Sequence, residues 1–289
     1  MIADGIRDWL ARDALPGRKI ITVRTLAGGH RNDNTLLVTG TGDRYVLRRY
    51  LRGNTCAAEA ALAARLAGAV PVPEVVAADP AGDVAGEPVL LSRFVEGVPL
   101  SAALDRPGVG SAVGEVLAAI GRFGYDDPGF EPTAQLSAYL ASKVGAGHER
   151  LLAAAAAAEP LLATVAGARR LVHSDFNPKN ILVRDGTVVA VLDWEFAFAG
   201  TPLFDVGNML RFSDGYPSTY VDGFVAGFRA GGGHLPERWR EISEALDLFA
   251  LADFLARPDS PYHYRAVAVA ERFTAKALRH RKSSVDHPL

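Results

Sequence analysis

The pattern of apolar and polar positions changes character part-way along the chain. Ile6, Leu10 and Leu15 recur near the helical period and predict a leading amphipathic helix over 2–15, stopped by Pro16. Three β-like runs follow at 20–26, 35–39 and 44–50, the last two separated by the turn Gly40-Thr41-Gly42-Asp43. The alanine-rich stretch 54–66, with Asn54 as N-cap candidate, predicts a helix. Val70-Pro71-Val72-Pro73 ends that helix and opens an extended segment over 74–78, and 87–94 reads as a last strand. From Leu100 onward the segments are helical: 111–123, 133–144 and 148–159, then 219–230, 236–256 and 262–281. Strands first and helices later predict an α+β architecture rather than a doubly wound one, in which the two would alternate.

One stretch interrupts the helical half. Leu171 to Asp193 reads LVHSDFNPKNILVRDGTVVAVLD, with short β-branched apolar runs flanking a polar loop. His173, Asp175 and Asn180 stand in the order H-x-D-x-x-x-x-N, and Asp193 closes the following strand. A carboxylate, an amide oxygen and a second carboxylate so spaced suit metal-assisted phosphoryl transfer. One carboxylate takes the proton of an acceptor hydroxyl, while the amide oxygen and the other carboxylate hold Mg²⁺.

These residues resemble the catalytic and metal loops of the protein-kinase-like fold, and more closely those of the aminoglycoside phosphotransferase and choline kinase group. In that group the second carboxylate opens an Asp-Trp-Glu turn, here Asp193-Trp194-Glu195. The resemblance implies a two-lobed α+β fold: a nucleotide-binding lobe with a small antiparallel sheet over 1–95, and a mainly helical catalytic and substrate-binding lobe over 96–289. It implies ATP (or GTP) and Mg²⁺ as cofactors, Asp175 as catalytic base and Asn180 and Asp193 as metal ligands. His173 and Asp205 then give structural support, His173 being a loop brace because the two carboxylates already fill the essential positions. Nucleotide contacts are implied for Gly28, Gly29, Val46, Arg48, Glu59, Arg93, Phe94, Val95, Lys179 and Leu182.

Several of these positions carry a plainer reading as well. Gly28-Gly29 is either a loop whose N–H groups approach phosphate or an ordinary hairpin turn. Strand alternation puts Val46 and Arg48 on one face and Arg49 on the other. Arg48 stands where related kinases have lysine; it is either a phosphate grip or a solvated strand charge. Glu59 either pairs with Arg48 or is a surface glutamate favoured near a helix N-terminus. Lys179 either meets the γ-phosphate or is solvated.

Composition narrows the class. The 289 residues carry a net charge of −2, and Lys and Arg are scattered, which leaves no nucleic-acid footprint. A single cysteine, Cys56, rules out an intramolecular disulfide. With no charged and apolar leader and no apolar run of spanning length, a soluble cytoplasmic protein without a membrane partner is expected. No Walker motif, H-E-x-x-H, C-x-x-C or G-x-S-x-G occurs. No A-P-E follows Asp193, and 193–205 is too short to dock a peptide, so the acceptor is expected to be a small molecule. Glu237, Glu241 and Glu244 share one face of a predicted helix, with Asp214, Asp222, Asp253 and Asp259 nearby in sequence. This acidity either steers a cationic acceptor or is a solvated surface. The expectation is an ATP- and Mg-dependent O-phosphotransferase acting on an aminoglycoside-type or other cationic antibiotic. A kinase of a small metabolite (amino alcohol or sugar) and a nucleotide-binding module without transfer are the alternatives.

Overall fold

The computed structural model describes residues 2–26, 32–126, 135–145 and 147–285, with side chains described as far as Arg279. The chain forms two compact units, Met1–Val98 with Ile181–Glu195, and Pro99–Asn180 with Phe196–Leu289. No helix among the described residues is long and apolar enough to cross a membrane.

In the first unit, α1 (Asp4–Trp9) runs into a π-helical turn, Leu10–Ala14. Strands β1 (Ile20–Thr25), β2 (Asn32–Thr39), β3 (Arg44–Tyr50), β4 (Val75–Asp79) and β5 (Val89–Arg93) make an antiparallel sheet in the order β1-β2-β3-β5-β4. Alternation sorts the residues of β3 between the two faces. Tyr45 and Leu47, with Leu37 and Leu91, pack against Ile6, Trp9 and Leu10 of the leading helical segment. Val46 and Arg48 project to the opposite face with their register partners Leu36, Ser92 and Leu90. On that side α2 (Cys56–Leu66) follows β3; the Asn54 side chain accepts the Cys56 N–H, as its position before the alanine-rich run suggested.

Past β6 (Val98–Pro99) the chain enters the second unit. It comprises α3 (Val109–Ile120), α4 (Leu136–Val144), α5 (Glu149–Leu162), β7 (Arg170–Val172), β10 (Phe198–Gly200), α6 (Leu203–Leu210), α7 (Ser218–Ala230), α8 (Trp239–Leu255) and α9 (His263–Val285). Helices α3 and α7 approach closely because glycines line both: a Cβ on Gly114 would sit 2.2 Å from the Phe224 carbonyl oxygen, and one on Gly227 2.1 Å from that of Ser111. The short strands β7 and β10 pair antiparallel, Val172 opposite Phe198, and the polar loop follows β7 directly.

Strands β8 (Ile181–Arg184) and β9 (Thr187–Val191) form a hairpin whose contacts lie with the first unit, although by sequence the whole of 96–289 was expected to form the second lobe. The Val191 N–H donates to the Pro71 carbonyl at 2.8 Å. Gly97 also lies so close that a Cβ there would stand 3.1 Å from Leu182. Local patterning identifies a hairpin; only these long-range contacts say which sheet system it joins.

Candidate active site

In the second unit the loop after β7 is fixed from beneath. Asp205, in the first turn of α6, is fully buried; its Oδ2 accepts the His173 N–H and its Oδ1 the Ser174 N–H, each at 2.8 Å. Burial pushes the Asp205 carboxyl up to about 7, against these two bonds, which favour its charged form. The anchoring holds Ser174 at φ +73°, a left-handed conformation that a serine adopts only when its surroundings impose it. His173 is buried, and its Nδ1 accepts the Asp175 N–H at 3.2 Å, so the proton of a neutral ring resides on Nε2.

Asp175 is then held from two sides. Asn177 Nδ2 donates to its Oδ1 at 2.7 Å and Asn180 Nδ2 to its Oδ2 at 2.8 Å, and both amides also reach its backbone carbonyl at 3.0 Å. Each carboxylate oxygen keeps a lone pair for another donor. Asn177 in turn accepts the Lys179 N–H. The role of Asn177 was not foreseen, although the Asn177-Pro178 dipeptide is a turn signal that points to it.

Arg48 organises the corresponding cluster in the first unit. Its Nη2 lies 2.6 Å from Asp193 Oδ1 and 3.8 Å from Glu195 Oε2, while Nε lies 3.5 Å from Glu59 Oε2 without a hydrogen-bonding angle. Burial works against its charge, but Glu59 and Asp193 outweigh it and hold the guanidinium pKa above its ordinary value. Burial likewise pushes Glu59 up, opposed by Arg48 and by the Thr55 hydroxyl that donates to it at 2.6 Å. One planar fork thus serves three carboxylates, which the compact ammonium of lysine would not do in the same way. The expectation for Arg48 named Glu59 and phosphate; Asp193 and Glu195 are additional partners. Asn32 Nδ2 ties Glu195 down at 3.0 Å. Neither Asn32 nor Glu195 was assigned a role from the sequence, because their contact joins the start of β2 to residues far along the chain. Arg49 faces away and pairs with Asp33 and Glu87.

Each unit offers an oxygen donor of the kind a hard metal takes. Donation of Nδ2 to Asp175 leaves Asn180 Oδ1 for another partner, and Asp193 keeps Oδ2 when Oδ1 binds Arg48. Amide and carboxylate oxygens are ligands of the type Mg²⁺ takes, commonly one or two carboxylates together with substrate phosphates. Asp193 has φ +68°, so the turn that presents it is itself strained. Among the described residues no three His, Cys, Asp or Glu side chains gather as a metal cluster.

Other expected positions fare differently. Gly28 and Gly29 lie outside the described residues. The Arg93 N–H donates to the Glu74 carbonyl and the Phe94 N–H to that of Arg44, so both are used within the first unit; Val95 follows, half-buried. Leu182 lies on β8 opposite Ala190. The Lys179 ammonium stands 5.0 Å from the Tyr262 ring centroid. Of the acidic positions, Glu241 and Glu244 lie on α8, and several of the carboxylates are paired. Glu237 precedes α8, Glu241 pairs with Arg238, Glu244 with Lys276, Asp214 with Arg272 and Asp253 with Lys143. Helical periodicity placed those carboxylates, but it could not see the basic side chains that other segments bring to them.

An antiparallel sheet unit, a helical unit, the D-x-x-x-x-N loop and the Asp-Trp-Glu turn together define the α+β, two-lobed protein-kinase-like class. The chain belongs to the phosphotransferase enzyme family, whose model matches residues 22–243, and is a phosphotransferase of the small-molecule kinase kind. Solved structures with a similar fold include a thermostable mutant of the aminoglycoside phosphotransferase APH(4)-Ia in ternary complex with ADP and hygromycin B (22% identity, 90% of this chain and 94% of that chain, TM-score 0.65). The macrolide 2'-phosphotransferase MphH from Brachybacterium faecium is similar at 22% identity (93% and 98%, TM-score 0.66). A candidate fructosamine-3-kinase from Thermobifida fusca is similar at 20% identity (96% and 99%, TM-score 0.70). At these identities the likeness concerns the fold. A search of curated proteins finds no match to the chain.

Proposed function

We propose that this protein is an ATP- and Mg²⁺-dependent O-phosphotransferase, in which Asp175 accepts the proton of a small-molecule hydroxyl as that oxygen attacks the γ-phosphorus and ADP leaves. The observation that carries the reading is the pair of amide donors on Asp175. Asn177 and Asn180 hold the carboxylate at 2.7 and 2.8 Å and leave it half-exposed with lone pairs to spare. A base so fixed needs no reorientation when an acceptor arrives. Asn180 Oδ1 and Asp193 are assigned to Mg²⁺, which when bound neutralises charge on the phosphates. Arg48 is assigned to the inner phosphates, with Glu59 fixing its position, and Val46 to the adenine. Because the N–H groups of Arg93 and Phe94 are already donated, hydrogen bonding to the adenine edge falls to Val95 and the residues after it. Gly28 and Gly29 are assigned to the phosphates on their place between β1 and β2. Nucleotide use is supported by the ADP in the similar aminoglycoside phosphotransferase complex.

The acceptor is a small molecule bearing a hydroxyl. Asp214, Glu241, Glu244 and Asp253 pair with basic side chains, which weakens the case for steering of a cationic antibiotic and supports the small-metabolite reading. The test is Mg-ATP turnover, followed as ADP formation, across a panel of hydroxyl compounds. Asp175→Ala is expected to lower kcat by roughly a hundredfold to ten-thousandfold. A variant as fast as the parent protein would remove Asp175 from the role of base.

A further inference from the structure

Beyond its hydroxyl, the acceptor must suit the charge that surrounds Asp175 in the second unit. Lys179 is four residues past Asp175, with its N–H on Asn177 Oδ1 and its ammonium 5.0 Å from the centre of the Tyr262 ring. Three residues beyond Tyr262, in the first turn of α9, the Arg265 guanidinium carbon lies 4.0 Å over the Phe212 ring. Both cations are exposed, and among the described residues no carboxylate lies within ion-pair distance of either. Their neighbour Arg211 differs: Asp247 grips it through three hydrogen bonds of 2.7 to 3.1 Å, leaving that pair with a structural task. Burial opposes the Arg211 charge while Asp247 and Asp175 favour it, and Arg265 and Arg211 both act on Tyr216, so these groups share one electrostatic neighbourhood.

Stacking on an aromatic face fixes the plane of a guanidinium and leaves its edge N–H donors pointing outward, a geometry matched to the two oxygens of a carboxylate or phosphate. Two unneutralised cations, one on the loop that bears Asp175 and the other three residues past the ring on which the first is stacked, repel a polycation and attract an anion. We propose that the acceptor is an alcohol that also carries an anionic group, a carboxylate or a phosphate, bound by Arg265 and Lys179 with Phe212 and Tyr262 behind them. This rests on Asp175 being the base of a phosphotransferase.

Two measurements test it. Turnover is compared for glycerate and glycerol 1-phosphate as anionic alcohols, glycerol as a neutral one and hygromycin B as a polycation. The anionic alcohols should give the lowest KM. For them Arg265→Ala should raise KM roughly tenfold to a hundredfold, the loss expected for hydrogen bonds to a charged group, with kcat within a few-fold and part of the loss recovered in Arg265→Lys. Independently, modification of Arg265 by phenylglyoxal is mapped by peptide mass in the unmutated protein. Glycerate or glycerol 1-phosphate should slow it, and glycerol and hygromycin B should not. Protection by hygromycin B equal to that by the anions, or no protection by either anion, overturns the proposal. The modification needs no turnover, whereas the reading of Asp175 as base is tested separately by the fall in ADP formation in Asp175→Ala, so the two failures are distinguishable.

Discussion

Asp205→Asn isolates the anchor of the loop that bears Asp175. The substitution keeps the volume and one acceptor oxygen but sets an NH₂ group against one of the two N–H donors of His173 and Ser174. An unsatisfied buried donor costs about 1–3 kcal/mol. Opposing this, the native carboxyl is raised from 3.8 to about 7, chiefly by burial. For such a group the folded protein binds more protons than the unfolded chain between those two values. Stability is therefore fully present below about pH 4 and is lost as pH rises toward 7, by at most roughly 4 kcal/mol. Asparagine does not ionise, so its variant lacks this slope. Urea denaturation of both proteins from pH 4.5 to 8 should show the parent losing stability relative to Asp205→Asn across that window. Meanwhile kcat of the variant should fall roughly tenfold to a hundredfold as the loop bearing Asp175 shifts. A stability difference that is flat with pH, together with an unchanged kcat, would refute the assignment of Asp205 as a buried anchor of the loop that bears Asp175.

Two further expectations concern stability. Arg48→Ala leaves Glu59, Asp193 and Glu195 without their shared cation and should cost about 3–5 kcal/mol, with a smaller loss for Arg48→Lys; thermal melting measures both, and an Arg48→Ala protein melting like the parent would remove the cluster's structural role. Gly227→Ala drives a Cβ to 2.1 Å from the Ser111 carbonyl oxygen and should cost about 1–3 kcal/mol or more, whereas Gly215→Ala, with nothing within 4 Å, should melt as the parent does.

The sequence by itself determined what depends on neighbours along the chain. The periods of apolar residues gave β1, β2, β3 and the long helices α7, α8 and α9 close to their observed bounds, because a strand or helix face is written locally. The grouping of Asp175 with Asn180 was legible for the same reason, since they lie within six residues and a single turn brings their side chains together, whereas Asn177 was not foreseen as a second donor to Asp175. Tertiary structure decided whatever joins distant segments. Asn32 and Glu195, Arg211 and Asp247, and the glycines of α3 against α7 carry no local sign of their partners. It also bears on the two readings of the acidic residues, since Glu244 and Asp253 find countercharges on Lys276 and Lys143. A local pattern fixes which side of an element a residue occupies. Its charge environment belongs to whatever packs against that side, and only the folded chain supplies it.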